Sequence, residues 1–178
     1  MRLAQGITRP DADKYLPYFG RYIDLVPDGD LLAILATQIG ATCGQLERLS
    51  GESATRQPSP GEWSPLDIAV HLADTERVLA YRAFTFARRD RAELPGVEFE
   101  EFAEAADANG RRVNDVVAEL RAVRAATVAL LRSVQALSWT HRGTASGSTI
   151  SVRALAYVIA GHELHHLVDL RRAADSTE

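Results

Sequence analysis

Two histidines occupy positions that would be expected to lie in a hydrophobic core. In the last strongly apolar segment, apolar residues recur at steps of three and four, the period of one helix face. That face carries, in order, Val152, Leu155, Ile159, His162, His166 and Leu170. Each imidazole has two nitrogens that need partners, and burying one without a partner costs about 1–3 kcal/mol. A shared metal ion would satisfy both rings, because neutral imidazole is a common ligand and four-residue spacing lets two rings reach one ion.

A third histidine on an earlier segment can complete the ligand set. On a helical wheel of 3.6 residues per turn, His71 lies within about 60° of the centre of that segment's apolar stripe. His71, His162 and His166 would leave coordination positions open, as catalytic metal sites do. Imidazole suits Zn, Ni, Cu and Fe, of which we expect Zn or Ni. Asp74 or Asp169 would orient a ligand from the outer shell.

Residues 162–166 also match the H-E-x-x-H motif of zinc proteases, in which Glu163 would be the general base. The further glycine and histidine of the extended motif do not follow, and no strand pattern supplies an edge that would hold a peptide. We therefore do not favour a peptidase.

Four long helices must position these residues. The period of the apolar residues predicts them at about 30–50, 64–88, 113–137 and 151–172. The second has a strong start signal: Ser64 as N-cap, Pro65 in the first turn and Asp67 completing a capping box. The connection before the third helix has room for a short extra helix from Phe99 to Ala108. The segment from Ser138 to Thr149 is predicted to be a loop.

These elements predict an all-α four-helix bundle that forms one domain over residues 1–178, with ligands converging on its core. The 178 residues suffice for a packed core, and the net charge of −4 argues against binding nucleic acid through bulk electrostatics. One cysteine excludes an internal disulfide, and no apolar run approaches a membrane span. We expect a cytoplasmic protein that binds neither membranes nor nucleic acid.

Two paired runs make the chain resemble the DinB-like (YfiT-like) superfamily. They are Trp63 to Pro65 followed by His71 to Glu76, and Ser151 to Leu155 followed by Gly161 to His166. The resemblance implies a four-helix bundle, often dimeric, with a divalent metal on three histidines that map onto His71, His162 and His166. Activities known in the superfamily include S-transferases that use low-molecular-weight thiols such as bacillithiol, and a mycothiol-dependent maleylpyruvate isomerase. Many members have no assigned reaction.

We therefore predict an enzyme in which a metal activates a low-molecular-weight thiol or water against a small-molecule substrate. The catalytic side chains remain unknown. Arg82 follows His71 by three helical turns, about 16 Å along the helix, on the same face. It would bind a carboxylate of a thiol cofactor, or else pair with an acidic residue or lie in solvent. The alternative is a non-catalytic stress-response protein whose ion is structural. A homodimer is also expected from the resemblance. The segment from Ala154 to Gly161 is apolar on most sides, and either a second subunit or packing within the chain would cover it.

Overall fold

Helices dominate the computed structural model, which describes residues 7–49, 51–90 and 92–175. The helices are α1 (Gly20–Ile23), α2 (Leu31–Leu46), α3 (Glu52–Thr55), α4 (Pro65–Ala87), α5 (Phe99–Ala105), α6 (Val113–Arg132) and α7 (Val152–Asp175). Two short strands, β1 (Arg142–Ala145) and β2 (Ser148–Ser151), form an antiparallel hairpin. No helix within the described residues has the length and apolarity needed to cross a membrane.

The four long helices form the predicted bundle. Helix α4 packs against α6 and α7, and α2 packs against the same two helices, so α2 and α4 lie diagonally across the core. Helix α1 lies against α7. The short helix predicted in the connection between the second and third bundle helices is also confirmed, as α5. The prediction of an all-α four-helix bundle is therefore correct.

Side-chain caps begin α4 and α7, and the sequence predicts the Ser64 cap. Ser64 Oγ accepts a hydrogen bond from the backbone N–H of Asp67, and the Asp67 carboxylate accepts one from the Ser64 N–H. Ser151 Oγ accepts a hydrogen bond from the N–H of Ala154 at 3.1 Å. These caps satisfy N–H groups that an uncapped helix end leaves unpaired. They fix the starts of α4 and α7, the two helices that carry the histidines.

The other helix ends differ from the prediction. Helix α2 ends at Leu46, and the predicted end at Ser50 lies outside the described residues. Helix α6 ends at Arg132, five residues before the predicted end. Ser133 stops it, because its N–H and its hydroxyl both donate to the carbonyl of Leu130. Leu137, at the predicted end of this helix, is 78% exposed as a result.

The hairpin corrects the prediction of a loop from Ser138 to Thr149. Its turn residues, Ser146 and Gly147, both have left-handed backbone angles, with φ of 53° and 70°. Positive φ at both central residues is typical of a tight two-residue turn that matches strand twist. The connection after α4 pairs with the hairpin, since Leu94 N–H donates to the Thr144 carbonyl and Ser146 N–H donates to the Leu94 carbonyl. This small sheet covers one end of α4, where Gly143 lies directly on the Phe86 ring.

Candidate metal centre

The three predicted histidines meet between α4 and α7. The Nε2 atoms of His71 and His162 are 3.2 Å apart. One ring nitrogen from each of His71, His162 and His166 lies within 4.8 Å of the other two. Nitrogens that each lie about 2.1 Å from a shared ion are separated by about 3.0–3.4 Å at ligand angles of about 90–109°. The His71–His162 spacing falls within that range.

Burial lowers the pKa of all three imidazoles. Desolvation, reinforced by His166, lowers the pKa of His71 to about 4. The pKa of His162 is well below its ordinary value, because of burial first and then the neighbouring His166 and His71. For His166, burial and His165 lower the pKa despite the opposing carboxylate of Asp169. All three rings are neutral near pH 7 and each has a lone pair to donate.

Hydrogen bonds orient two of the rings. His166 Nδ1 is 3.1 Å from the Asp169 carboxylate. Because an ionised carboxylate only accepts, Nδ1 carries the proton and the lone pair of His166 is on Nε2. Thr75 Oγ1 lies 3.5 Å from His71 Nδ1, and its hydroxyl can either donate to that nitrogen or accept from it. Of the two predicted acids, Asp169 contacts a predicted ligand histidine, whereas Asp74 pairs with Arg77 at 2.9 Å.

His165, His166 and Asp169 form a second group of possible ligands. It shares His166 with the first group. In it, His166 Nδ1 and the Asp169 carboxylate already contact each other. His71 and His162 are each only 7% exposed, so their polar atoms need partners more. The donor set of the first group therefore fits a metal ion better.

A cavity of about 410 Å³ opens beside the three histidines. Aromatic side chains form much of its wall. The Trp63 ring centroid is 4.6 Å from that of His71, and Tyr22 meets His162 edge-on at 5.2 Å. Phe99 of α5 approaches His71 from another side at 6.0 Å. A small molecule in this cavity would contact apolar surface and the imidazoles together.

Glu163 does not lie in that cavity. Its carboxylate accepts hydrogen bonds from Thr42 Oγ1 at 2.6 Å and from Gln38 Nε2, and it lies 2.7 Å from Arg124 Nη2. Arg124 also donates to both oxygens of Glu76 at 2.9 Å. These partners occupy the Glu163 carboxylate, so the structure gives no support to the general base of a zinc protease.

Arg82 lines the same cavity as the histidines, at the end nearer the hairpin. Its Nη2 donates to the Pro95 carbonyl at 3.2 Å and to Ser146 Oγ at 3.1 Å. Burial lowers the pKa of this guanidinium. The structure therefore places Arg82 and the three histidines around one space.

Several site residues were not predicted. Thr75 lies four residues after His71, so its position on the same helix face was a usable signal. Trp63, Tyr22 and Phe99 give no such signal, because they reach the site from three separate parts of the chain. The contacts of Ser146 and Pro95 with Arg82 are equally long-range.

The fold and the site define a four-helix bundle protein with three neutral histidines at the wall of an open cavity. The sequence profile of the DinB superfamily matches residues 35–169, which include all three histidines. The chain therefore belongs to the DinB superfamily.

Among solved structures, the chain is similar to YfiT from Bacillus subtilis, with a TM-score of 0.71 and 15% sequence identity. The similarity covers 82% of this chain and 84% of that one. YfiT is described as a probable metal-dependent hydrolase with an unusual four-helix bundle topology. Comparison with curated protein sequences finds no match.

Proposed function

We propose that this chain is a metal-dependent enzyme that activates a low-molecular-weight thiol, as an S-transferase does, or water, as a hydrolase does. His71, His162 and His166 would hold a divalent ion, Zn or Ni. The observation that carries the proposal is the meeting of three neutral imidazoles at the wall of a 410 Å³ cavity. A divalent ion held there supplies Lewis-acid chemistry, which lowers the pKa of a coordinated thiol or water.

The position of the histidines supports catalysis over a structural role. Structural zinc sites are closed by four protein ligands, whereas catalytic sites keep a position open. Among the described residues, the group contains three ligands, and the cavity lies next to them. A substrate can therefore approach the side of the group that protein atoms leave uncovered.

The surrounding side chains have defined tasks in this proposal. Asp169 holds the proton on His166 Nδ1 and keeps the opposite nitrogen aimed at the ion. Trp63, Tyr22 and Phe99 bind the apolar part of a small substrate and exclude bulk water from the imidazoles. Burial keeps the histidines neutral, so that they bind a cation without first losing protons.

Different observations support water and a thiol as the group that the metal activates. The description of YfiT as a probable metal-dependent hydrolase supports water. The thiol-dependent activities of the superfamily support an S-transferase. The alternative is the non-catalytic stress-response protein, in which the ion only stabilises the bundle.

Metal binding is tested by titrating metal-free protein with Zn²⁺ or Ni²⁺ and measuring bound metal per chain. We expect one ion per chain in the wild type and none in His71→Ala, His162→Ala or His166→Ala. His165→Ala is the matched control, because His165 neighbours His166 but is not one of the three proposed ligands, and it should bind one ion. Full metal content in His166→Ala would overturn the site.

Function is tested with the same proteins. Wild type is assayed against electrophiles with a panel of low-molecular-weight thiols, and against esters and amides without thiol. We expect turnover that His166→Ala abolishes while its circular dichroism keeps the helical signal. A wild type without turnover whose melting temperature falls steeply on metal removal would instead support the structural alternative.

We also propose a homodimer and a cytoplasmic location. The apolar sides of α7 are covered within the chain, since Tyr157, Val158 and Ala160 are buried there. The support that remains is the superfamily resemblance and an exposed apolar patch, where Tyr81 is 56% and Phe84 43% exposed. Sedimentation at micromolar concentration tests the dimer, and a monomer would contradict it.

A further inference from the structure

Arg82 is a buried cation that has no acidic partner. Only 7% of the residue is exposed, yet none of the described carboxylates forms a salt bridge with it. Arg124 provides the contrast within the same chain. It is buried as well, with 2% exposed, and Glu76, Glu163 and the Leu35 carbonyl surround its guanidinium. A buried charge is costly unless it is paired, so the missing partner of Arg82 calls for a ligand.

The protein holds one side of this guanidinium and leaves the other side available. Nη2 is fixed by the Pro95 carbonyl and by Ser146 Oγ. These two acceptors are themselves tied together, because the Ser146 N–H donates to the carbonyl of Leu94 at 3.1 Å. Nε and Nη1 have no acceptor among the described residues. Their N–H groups form the planar fork that binds a carboxylate with two parallel hydrogen bonds.

The cavity selects the charge of the ligand. A single guanidinium balances one negative charge, and two exposed acids, Glu98 and Glu100, line the mouth and disfavour a more highly charged anion. Leu79, Phe99 and Val158 give the cavity apolar lining. This chemistry fits a monocarboxylate with an apolar body better than a phosphate.

The position of Arg82 also sets the length of the ligand. Its Cα is about 16 Å from that of His71 along α4, at 1.5 Å rise per residue. The guanidinium is fixed at the hairpin end of the cavity by Pro95 and Ser146, so the ligand must reach from there to the histidines. A chain of several bonds would join a group at the histidines to a carboxylate at Arg82.

We propose that Arg82, held by Ser146 and Pro95, is a carboxylate-binding subsite, and that the substrate or thiol cofactor carries one carboxylate remote from its reacting group. This inference rests on the proposed function for its chemical purpose. Binding to the subsite does not require the metal, so the two proposals can fail separately.

The test is calorimetric titration of metal-free protein with hexanoate, with uncharged hexanamide and with hexyl phosphate. We expect hexanoate to bind at least about tenfold more tightly than hexanamide, since a charge-assisted pair is lost. Arg82→Gln should remove that preference, Arg82→Lys should restore part of it, and Ser146→Ala should weaken hexanoate about threefold. Arg88→Gln is the matched control, because Arg88 is an exposed arginine on the same chain that does not line the cavity, and it should bind as the wild type does.

Three results would overturn the subsite. These are equal binding of hexanoate and hexanamide, tighter binding of hexyl phosphate, and hexanoate binding that Arg82→Gln leaves unchanged. If Arg82→Gln does not fold by circular dichroism, the ligand comparison on the wild type still decides. A wild type that binds one metal ion per chain but shows no preference for hexanoate over hexanamide would overturn the subsite alone. Hexanoate selectivity in a protein that binds no metal would overturn the proposed function alone.

Discussion

A Cβ atom on Gly161 would lie 1.9 Å from the carbonyl oxygen of Tyr22. The absence of a side chain at this position lets the backbone of α1 touch α7 one residue before His162. That contact places the Tyr22 ring edge-on against His162, with ring centroids 5.2 Å apart. The cavity wall beside the candidate metal centre thus depends on one glycine.

Gly161→Ala should force α1 away from α7, because the clashing atom belongs to backbone that cannot rotate aside. We expect a loss of about 1–3 kcal/mol in the free energy of unfolding, the usual cost of overpacking. Urea unfolding measures it. Gly40→Ala is the control, since nothing lies within 4 Å of a Cβ there and alanine should add about 0.5–1 kcal/mol as a helix former. Equal stability of both variants would show that α1 moves without cost.

Glu163→Gln should reduce stability and leave metal content unchanged. The substitution removes the charge that faces Arg124 and weakens the bond with Thr42, at a cost of about 1.5–3 kcal/mol for hydrogen bonds to charged groups. Chemical unfolding and metal analysis are the two measurements. Glu47→Gln, which loses an exposed ion pair with Arg121, should cost under about 1 kcal/mol. Lost turnover with normal stability and metal would instead identify Glu163 as a catalytic base.

Asp169→Asn should weaken metal binding about 10–100-fold, the usual effect of removing an outer-shell carboxylate. The carboxylate holds the proton on His166 Nδ1, and an amide can present either a donor or an acceptor there. Competition with a chelator measures the affinity. Asp74→Asn is the control, because Asp74 pairs with Arg77 and should leave the affinity unchanged. Equal effects of the two substitutions would contradict the role of Asp169.

The stability of metal-free protein should fall as the pH falls from about 6.5 towards about 4. The pKa of His71 is about 4 in the folded chain against 6.5 as the ordinary value, so in this window the unfolded chain binds a proton that the folded chain does not. Acid therefore favours unfolding, by on the order of 3 kcal/mol for His71 when the window is crossed. Urea unfolding at pH 7, 6 and 5 measures the slope. His71→Gln should flatten it, and a stability independent of pH would contradict the burial of neutral histidine.

The apolar period of the sequence was enough to predict the bundle and to bring three polar residues to notice. His162 and His166 interrupt an apolar face at helical spacing. This pattern is local, because it does not depend on which elements pack against the helix. The Ser64 and Ser151 caps are local as well, since each bond spans three residues. Such features could be predicted because they depend only on distances along one helix.

The order of the helices around the core could not be predicted. Because this order decides which residues meet a buried charge, the partners of the buried charges could not be predicted either. The spacing of Arg124 does not show what meets its guanidinium. Only the placement of α6 beside α4 and α2 brings Glu76 and the Leu35 carbonyl to it. The hairpin was missed because its strands have four residues each and little apolar alternation, although Ser-Gly at its turn was a signal. The spacing predicted the helix face of Arg82. It did not predict whether an acid, solvent or an open cavity would lie next to the guanidinium, because the contacting residues are 13 and 64 positions away. Long-range packing decides partners because burial removes water, and a charge then depends on whatever the fold places next to it.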